Sequence, residues 1–167
     1  ALVSLIRKVV GIDKALTRLQ NLCARQEKCV WDIMQKLKLW GINNEEAQKI
    51  VSMLVDEGFV DDRRYAQMFV REKSQLNKWG SIKIAAALRV KKINESIIKE
   101  ALLELQPQFD RATLENIITT KANQVKAKSP SDLRAKLVRF GLSRGFELEH
   151  VVKTVDMVMK SNMTDEA

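Results

Sequence analysis

An internal repeat constrains this chain more than any other feature. Ile33-x3-Leu37-x3-Gly41 can be laid over Ile84-x3-Leu88-x3-Lys92, and then over Leu137-x3-Gly141-x3-Gly145, at offsets of 51 and 53 residues. The helix after each anchor repeats as well. Ala47, Ile50, Val51 and Leu54 correspond to Ile98, Ala101, Leu102 and Leu105, and then to Val151, Thr154, Val155 and Val158. Each set has the i, i+3, i+4, i+7 spacing that puts apolar side chains on one face of a helix. Three such stripes in register indicate a supersecondary unit used three times.

Each unit reads as three short helices. The first has helices from about residue 14 to 25 and from about 30 to 40, then a third opened by the capping pair Asn43 and Glu46. The second opens at Asp62, breaks at Lys78-Trp79-Gly80, restarts at Ser81 and is capped again at Asn94. The third begins after Gln106-Pro107-Gln108 and runs to about residue 127. It restarts with Ser129 as N-cap and Pro130 at the first helical position, and ends with a helix from 147 to about 160 and a frayed tail, Ser161 to Ala167. Only two prolines and six glycines interrupt the chain. The predicted fold is therefore all-α, with three tandem three-helix repeats: residues 1–60 with an N-terminal segment, 61–106, and 107–167 with the tail. Units this small bury little alone, so they should stack into an elongated, curved array. Lys92 stands where the other units carry glycine, and Gly141 where they carry leucine, which predicts a thinner third core.

Chemistry has few footholds. One histidine, His150, sits beside Glu149 and reads as part of a solvated helix face. Cys23 and Cys29 match neither a zinc pattern nor a disulfide framework and read as reduced thiols of a cytoplasmic protein. The apolar opening Leu2 to Val10 contains Arg7-Lys8 and is too short to span a bilayer. No catalytic site, metal or cofactor is expected.

Charge points elsewhere. Lys and Arg outnumber Asp and Glu by 29 to 21 in the 167 residues, a net +8, which favours an anionic partner. The middle unit carries +4 against +2 on either side. Between 71 and 92 the basic residues are Arg71, Lys73, Lys78, Lys83, Arg89, Lys91 and Lys92. Between 121 and 144 they are Lys121, Lys126, Lys128, Arg134, Lys136, Arg139 and Arg144. The stretch Gly58 to Arg71 is the most organised. Gly58 can close one helix, Asp61 can cap the next, and Asp62 adds charge that suits the helix dipole. Tyr65, Ala66, Phe69, Val70 and Leu76 then fall on a packing face, with Lys73 lying along it. Arg64, Arg71 and Lys78 recur every seven residues opposite, drifting only about 20° per step, as a basic stripe. Trp40 reads as packing; Trp79 reads either as packing between units or as an exposed ring able to stack on a base.

These same residues carry a resemblance. Gly-Phe-x-Asp-Asp-x-Arg-Tyr-Ala-x-x-Phe-Val-Arg, from Gly58 to Arg71, resembles the signature of the RecX family, regulators of the bacterial RecA recombinase. The likeness continues through Lys78-x-Gly80-x-x-Lys83-Ile84-x-x-x-Leu88, Leu137-x-Arg139-Phe140 and Ser143-Arg144-Gly145-Phe146, and covers roughly Leu16 to Val158. It implies a regulator that lodges in the helical groove of the RecA–DNA filament and inhibits the recombinase. A monomer is expected, and because the basic residues are scattered over several helices, bare DNA binding is expected to be weak and without sequence preference. The basic residues expected at that interface are Arg64, Arg71, Lys78, Lys83, Arg89, Lys91, Lys92, Arg134, Lys136 and Arg139. A DNA-binding protein with helix-turn-helix-like modules, and a helical scaffold without nucleic acid, are the alternative readings.

Overall fold

Helix ends determine where this chain turns, and the same device closes the second helix of every unit. Gly41, Lys92 and Gly145 all take the left-handed conformation, at φ of 74°, 57° and 92°. In each case the next residue returns its N–H five residues back: Ile42 to Leu37, Ile93 to Leu88 and Phe146 to Gly141. This is the Schellman closure, and the residue after the turn is apolar each time. Lysine is strained there by the clash of its Cβ with backbone. Lys92→Gly is accordingly expected to stabilise the protein by about 1 kcal/mol, read as a higher urea midpoint with unchanged slope.

The computed structural model describes residues 2–105 and 107–165. Its helices are α1 (Leu2–Arg25), α2 (Val30–Leu39), α3 (Asn44–Asp56), α4 (Asp62–Gln75), α5 (Ser81–Val90), α6 (Glu95–Leu103), α7 (Pro107–Gln124), α8 (Pro130–Ser143) and α9 (Leu148–Asp165), with no strand among the described residues. Four starts are set by predicted caps. Asn43 accepts from Glu46 N–H, Asp61 from Arg63 and Arg64, Asn94 from Ser96, and Ser129 from Asp132. Cys29 and Gly80, the residues before α2 and α5, make no such side-chain bond.

Three buried clusters lie along the chain. The first joins α1 to α3 around Leu19, Ile33, Leu37, Ile50 and Leu54. The second joins α4 to α6 around Phe69, Ile84, Leu88 and Ile98, and it also takes in Cys29 from the segment before α2, with Trp31 packed on it. The third joins α7 to α9 around Leu114, Ile118, Leu137, Phe146, Val151 and Val155. The molecule exposes 11074 Å², against roughly 8400 Å² for a compact monomer of 19.1 kDa. That excess is the surface of an elongated molecule.

Five expectations are corrected. The first helix starts at Leu2, absorbing the apolar opening, and the last continues through the expected tail to Asp165; α7 ends at Gln124. Gln106 of the expected break, and residues 166 and 167, lie outside the described residues. Leu76 is 77% exposed because α4 stops one residue before it. Gly141 does not thin the third core: a Cβ there would lie 2.7 Å from Val151 Cγ1, so α9 settles onto α8 and fills the space itself. Lys73 behaves as read, its ammonium over Phe69 at 5.4 Å and over the half-buried Trp79 at 5.7 Å.

Candidate nucleic-acid interface

A cation can serve a partner only if its own protein has not already neutralised it. Most of the expected interface residues have been. Arg64 Nε donates to Glu27 Oε1 at 2.6 Å and Nη2 to the Gly58 carbonyl at 3.1 Å. The Glu27 hydrogen bond raises the guanidinium pKa further. Lys91 binds Asp32 at 2.6 Å and lies 5.5 Å and 5.6 Å from the Trp31 and Tyr65 rings. Burial works against the Lys91 charge, but the Asp32 bond and the Tyr65 and Asp32 fields outweigh it and raise its pKa. Arg89 grips Glu95 with two bonds of 2.9 and 2.6 Å, and Arg134 grips Asp156 with two of 2.7 and 3.2 Å. Lys136 reaches Asp132 and the Lys126 carbonyl, both at 2.8 Å, and Arg71 approaches Glu104 at 3.8 Å. Exposed pairs of this kind contribute only about 0.2–1 kcal/mol each to stability. They do cancel the field that a phosphate would feel.

The expected stripe is not a stripe. Since α4 ends at Gln75, Lys78 lies beyond it, in a turn with φ of 54°, and cannot share a helix face with Arg64 and Arg71. Arg64 acts between units instead. Beside it, Asp62 Oδ1 accepts from Val30 N–H at 2.8 Å and so caps α2, the helix that Cys29 leaves without a side-chain cap. Burial pushes the Asp62 carboxyl above its ordinary value, and the Val30 bond opposes that. The Cys29 thiol is pushed up to about 11 by burial, which leaves it protonated and unreactive at neutral pH.

A second joint follows the same plan with backbone in place of side chains. Gly80 N–H donates to the Arg144 carbonyl at 2.8 Å and Ile82 N–H to the Gly145 carbonyl at 3.0 Å. The carboxyl end of α8 thus meets the amino end of α5, opposite dipole ends together. Such an approach needs two glycines. A Cβ on Gly80 would lie 2.3 Å from the Gly145 oxygen, and one on Gly145 would lie 2.2 Å from Lys83 Cβ. The repeat offsets map Gly80 onto Cys29 and Gly145 onto Lys92. At the first joint Cys29 is buried in the second core, and Lys91 and Asp32 bridge the two units. Lys83 Nζ donates to the Ser143 carbonyl at 3.2 Å and lies 4.6 Å from the Trp79 ring. Trp79 is thus a packing residue of this joint, against the second core.

Lys78, Lys92 and Arg139 remain. Arg139 bonds its own helix, at the Ala135 carbonyl, and its charge helps lower the Asp132 pKa. Lys78 is exposed at the rim of a cleft of about 570 Å³ between the turn and α7, lined also by Asn116, Thr120, Lys121, Gln124 and Phe140. No carboxylate lines it. Lys121 rests 5.2 Å over the Phe140 ring, and Arg144 lies 6.0 Å from the same ring while its Nη2 bonds the Asn77 carbonyl beside Lys78. Sequence reading counted Lys121 in a basic run but had no reason to select it. The usable signal was the spacing of Asn116, Thr120 and Gln124, four residues apart on one helix line. A second cleft, on the α6–α9 side, holds His150 with Asp110, whose carboxyl is raised chiefly by burial.

Among the described residues no group of three or more His, Cys, Asp or Glu side chains could hold a metal ion, and no helix is long and apolar enough to cross a membrane. The family model described as the RecX second three-helix domain matches residues 61–102. Regulatory protein RecX of Chromohalobacter salexigens is 31% identical over 131 residues, 78% of this chain and 84% of that protein. The Vibrio vulnificus protein of the same name is 28% identical with the same coverage. In fold, a crystal structure of a regulatory protein RecX aligns with a TM-score of 0.81 at 23% identity, over 90% of this chain and 75% of that one. RecX from Lactobacillus salivarius aligns at 0.78 and 20% identity, over 90% and 97%. A relative this similar over most of both chains, a matching family model and a shared all-α fold lead to one conclusion: this chain belongs to the RecX family of regulatory proteins.

Proposed function

We propose that the protein regulates RecA recombinase by binding the RecA–DNA filament and lowering its ATP turnover and strand exchange. The observation that carries this reading is membership of a regulatory family, joined to a chain whose successive helical units are linked end to end. A filament presents the same surface again and again. A chain of repeated units can engage several of those surfaces together, so contacts that are weak and salt-screened singly add as one multivalent attachment. The protein acts by binding, as a monomer, and has no catalytic step of its own. Lys78, Lys92 and Arg139 replace the Arg64–Arg71–Lys78 stripe as the first contacts to examine, because among the described residues none of them forms an ion pair with a carboxylate.

Bare DNA binding is weak and non-specific in this reading. The basic residues are scattered over several helices, which does not suit the reading of base edges from one helix in a major groove. The deciding experiment is the ATPase rate of RecA on single-stranded DNA with and without this protein. Dose-dependent loss of turnover is expected. Unchanged turnover with the protein in molar excess would overturn the reading, and tight, salt-resistant binding to one duplex sequence would favour helix-turn-helix recognition.

A further inference from the structure

Resting on that reading of a filament containing single-stranded DNA, we infer that the cleft between Lys78 and α7 is a seat for one nucleic-acid strand. It lies at the junction of two units. Lys78 comes from the second and Lys121 from the third, and the glycine contact between α5 and α8 brings them to one opening. Among the described residues neither ammonium has a carboxylate partner, whereas Arg64, Arg89, Lys91, Arg134 and Lys136 all do. Phe140 holds Lys121 by its ring face, which fixes the ammonium without cancelling its charge. Lys78 is held at the opening in turn, because Arg144 ties the adjacent Asn77 carbonyl to the end of α8.

Along the floor run Asn116, Thr120 and Gln124, one per helical turn and all exposed. Each carries both a donor and an acceptor, although Thr120 Oγ1 already donates to Asn116 Oδ1 at 3.4 Å. That inventory suits the edges of unpaired bases, which a duplex keeps occupied by base pairing. Two cations at the rim and an amide–hydroxyl row between them therefore match a strand with its phosphates on Lys78 and Lys121 and its bases toward α7. The size agrees, since about 570 Å³ is in the range of small-ligand sites, enough for a nucleotide or two.

The test uses the full chain and a fluorescein-labelled oligothymidylate, followed by anisotropy at increasing salt with no recombinase present. It judges the cleft alone, whereas the ATPase assay judges the filament reading, so failure of one is distinguishable from failure of the other. Lys78→Glu with Lys121→Glu should weaken binding at least tenfold. Lys99→Glu with Lys153→Glu makes the same change in net charge away from the cleft and should cost less than threefold. Lys78→Gln with Lys121→Gln should flatten the plot of log affinity against log salt by about 1.4, or 0.7 for each phosphate no longer neutralised. Should the glutamate pair melt early, the glutamine pair decides. Three results would overturn the inference: affinity within twofold in the glutamate pair with an unchanged salt slope in the glutamine pair, equal loss in both glutamate pairs, or polyglutamate displacing the probe better than unlabelled oligothymidylate does.

Discussion

Alanine at Gly145 should lower the stability of the protein by about 3 kcal/mol, and alanine at Gly41 by only about half of that. Both glycines hold the same position in their units and both are left-handed, at φ of 92° and 74°. A side chain at either is therefore strained against its own backbone, which costs about 1–2 kcal/mol. Their surroundings differ. A Cβ on Gly41 meets nothing within 4 Å, whereas one on Gly145 would lie 2.2 Å from Lys83 Cβ and 2.6 Å from Lys83 N. Relieving that overlap means pushing α5 away from α8, a further cost of about 1–3 kcal/mol for a forced backbone shift. Urea unfolding followed by circular dichroism measures both variants. The difference between them isolates the contact between units from the strain common to both, and equal losses would show that the contact contributes nothing.

A loss of about 2–5 kcal/mol is also expected for Leu88→Ala. Leu88 is fully buried in the second core, where it is packed among α4, α5 and α6 residues, and its carbonyl takes part in closing α5. Truncation removes the burial of several methyl and methylene groups and leaves a cavity that the neighbouring helices only partly refill. Leu76→Ala serves as the comparison, because periodicity alone places Leu76 on the packing face with Phe69. It is 77% exposed, and its replacement should change stability by no more than about 0.5 kcal/mol. A Leu88→Ala protein with an unchanged melting midpoint would contradict the described core.

Helices and caps were legible because they depend on neighbours in sequence. Asn43, Asp61, Asn94 and Ser129 act within three residues of themselves, and the apolar stripes depend only on the 3.6-residue period. The interface was much less legible. A heptad of basic residues implies one face only while the helix lasts, and α4 ends before Lys78. Whether Arg64 or Lys91 is free depends on Glu27 and Asp32, which lie 37 and 59 residues away in sequence. No local pattern reports partners at that distance. Gly141 was misread for a related reason: a missing side chain thins a core only if the opposing helix stays where it was, and Val151 shows that it does not.

The capping of α2, α5 and α8 has a consequence for the order in which the chain can become organised. The amino end of α2 is completed by Asp62, and that of α5 by the carbonyls of Arg144 and Gly145, so each borrows from the unit that follows it. Only α8 closes itself, with Ser129 and Pro130. Ribosomal synthesis delivers these parts in the opposite sequence. When α2 emerges its lender is some thirty residues behind, and α5 waits about sixty. At elongation rates of roughly 5–20 residues per second, that is an interval of seconds during which two helix starts are open. The nascent chain therefore completes its first units retroactively, from its carboxyl side.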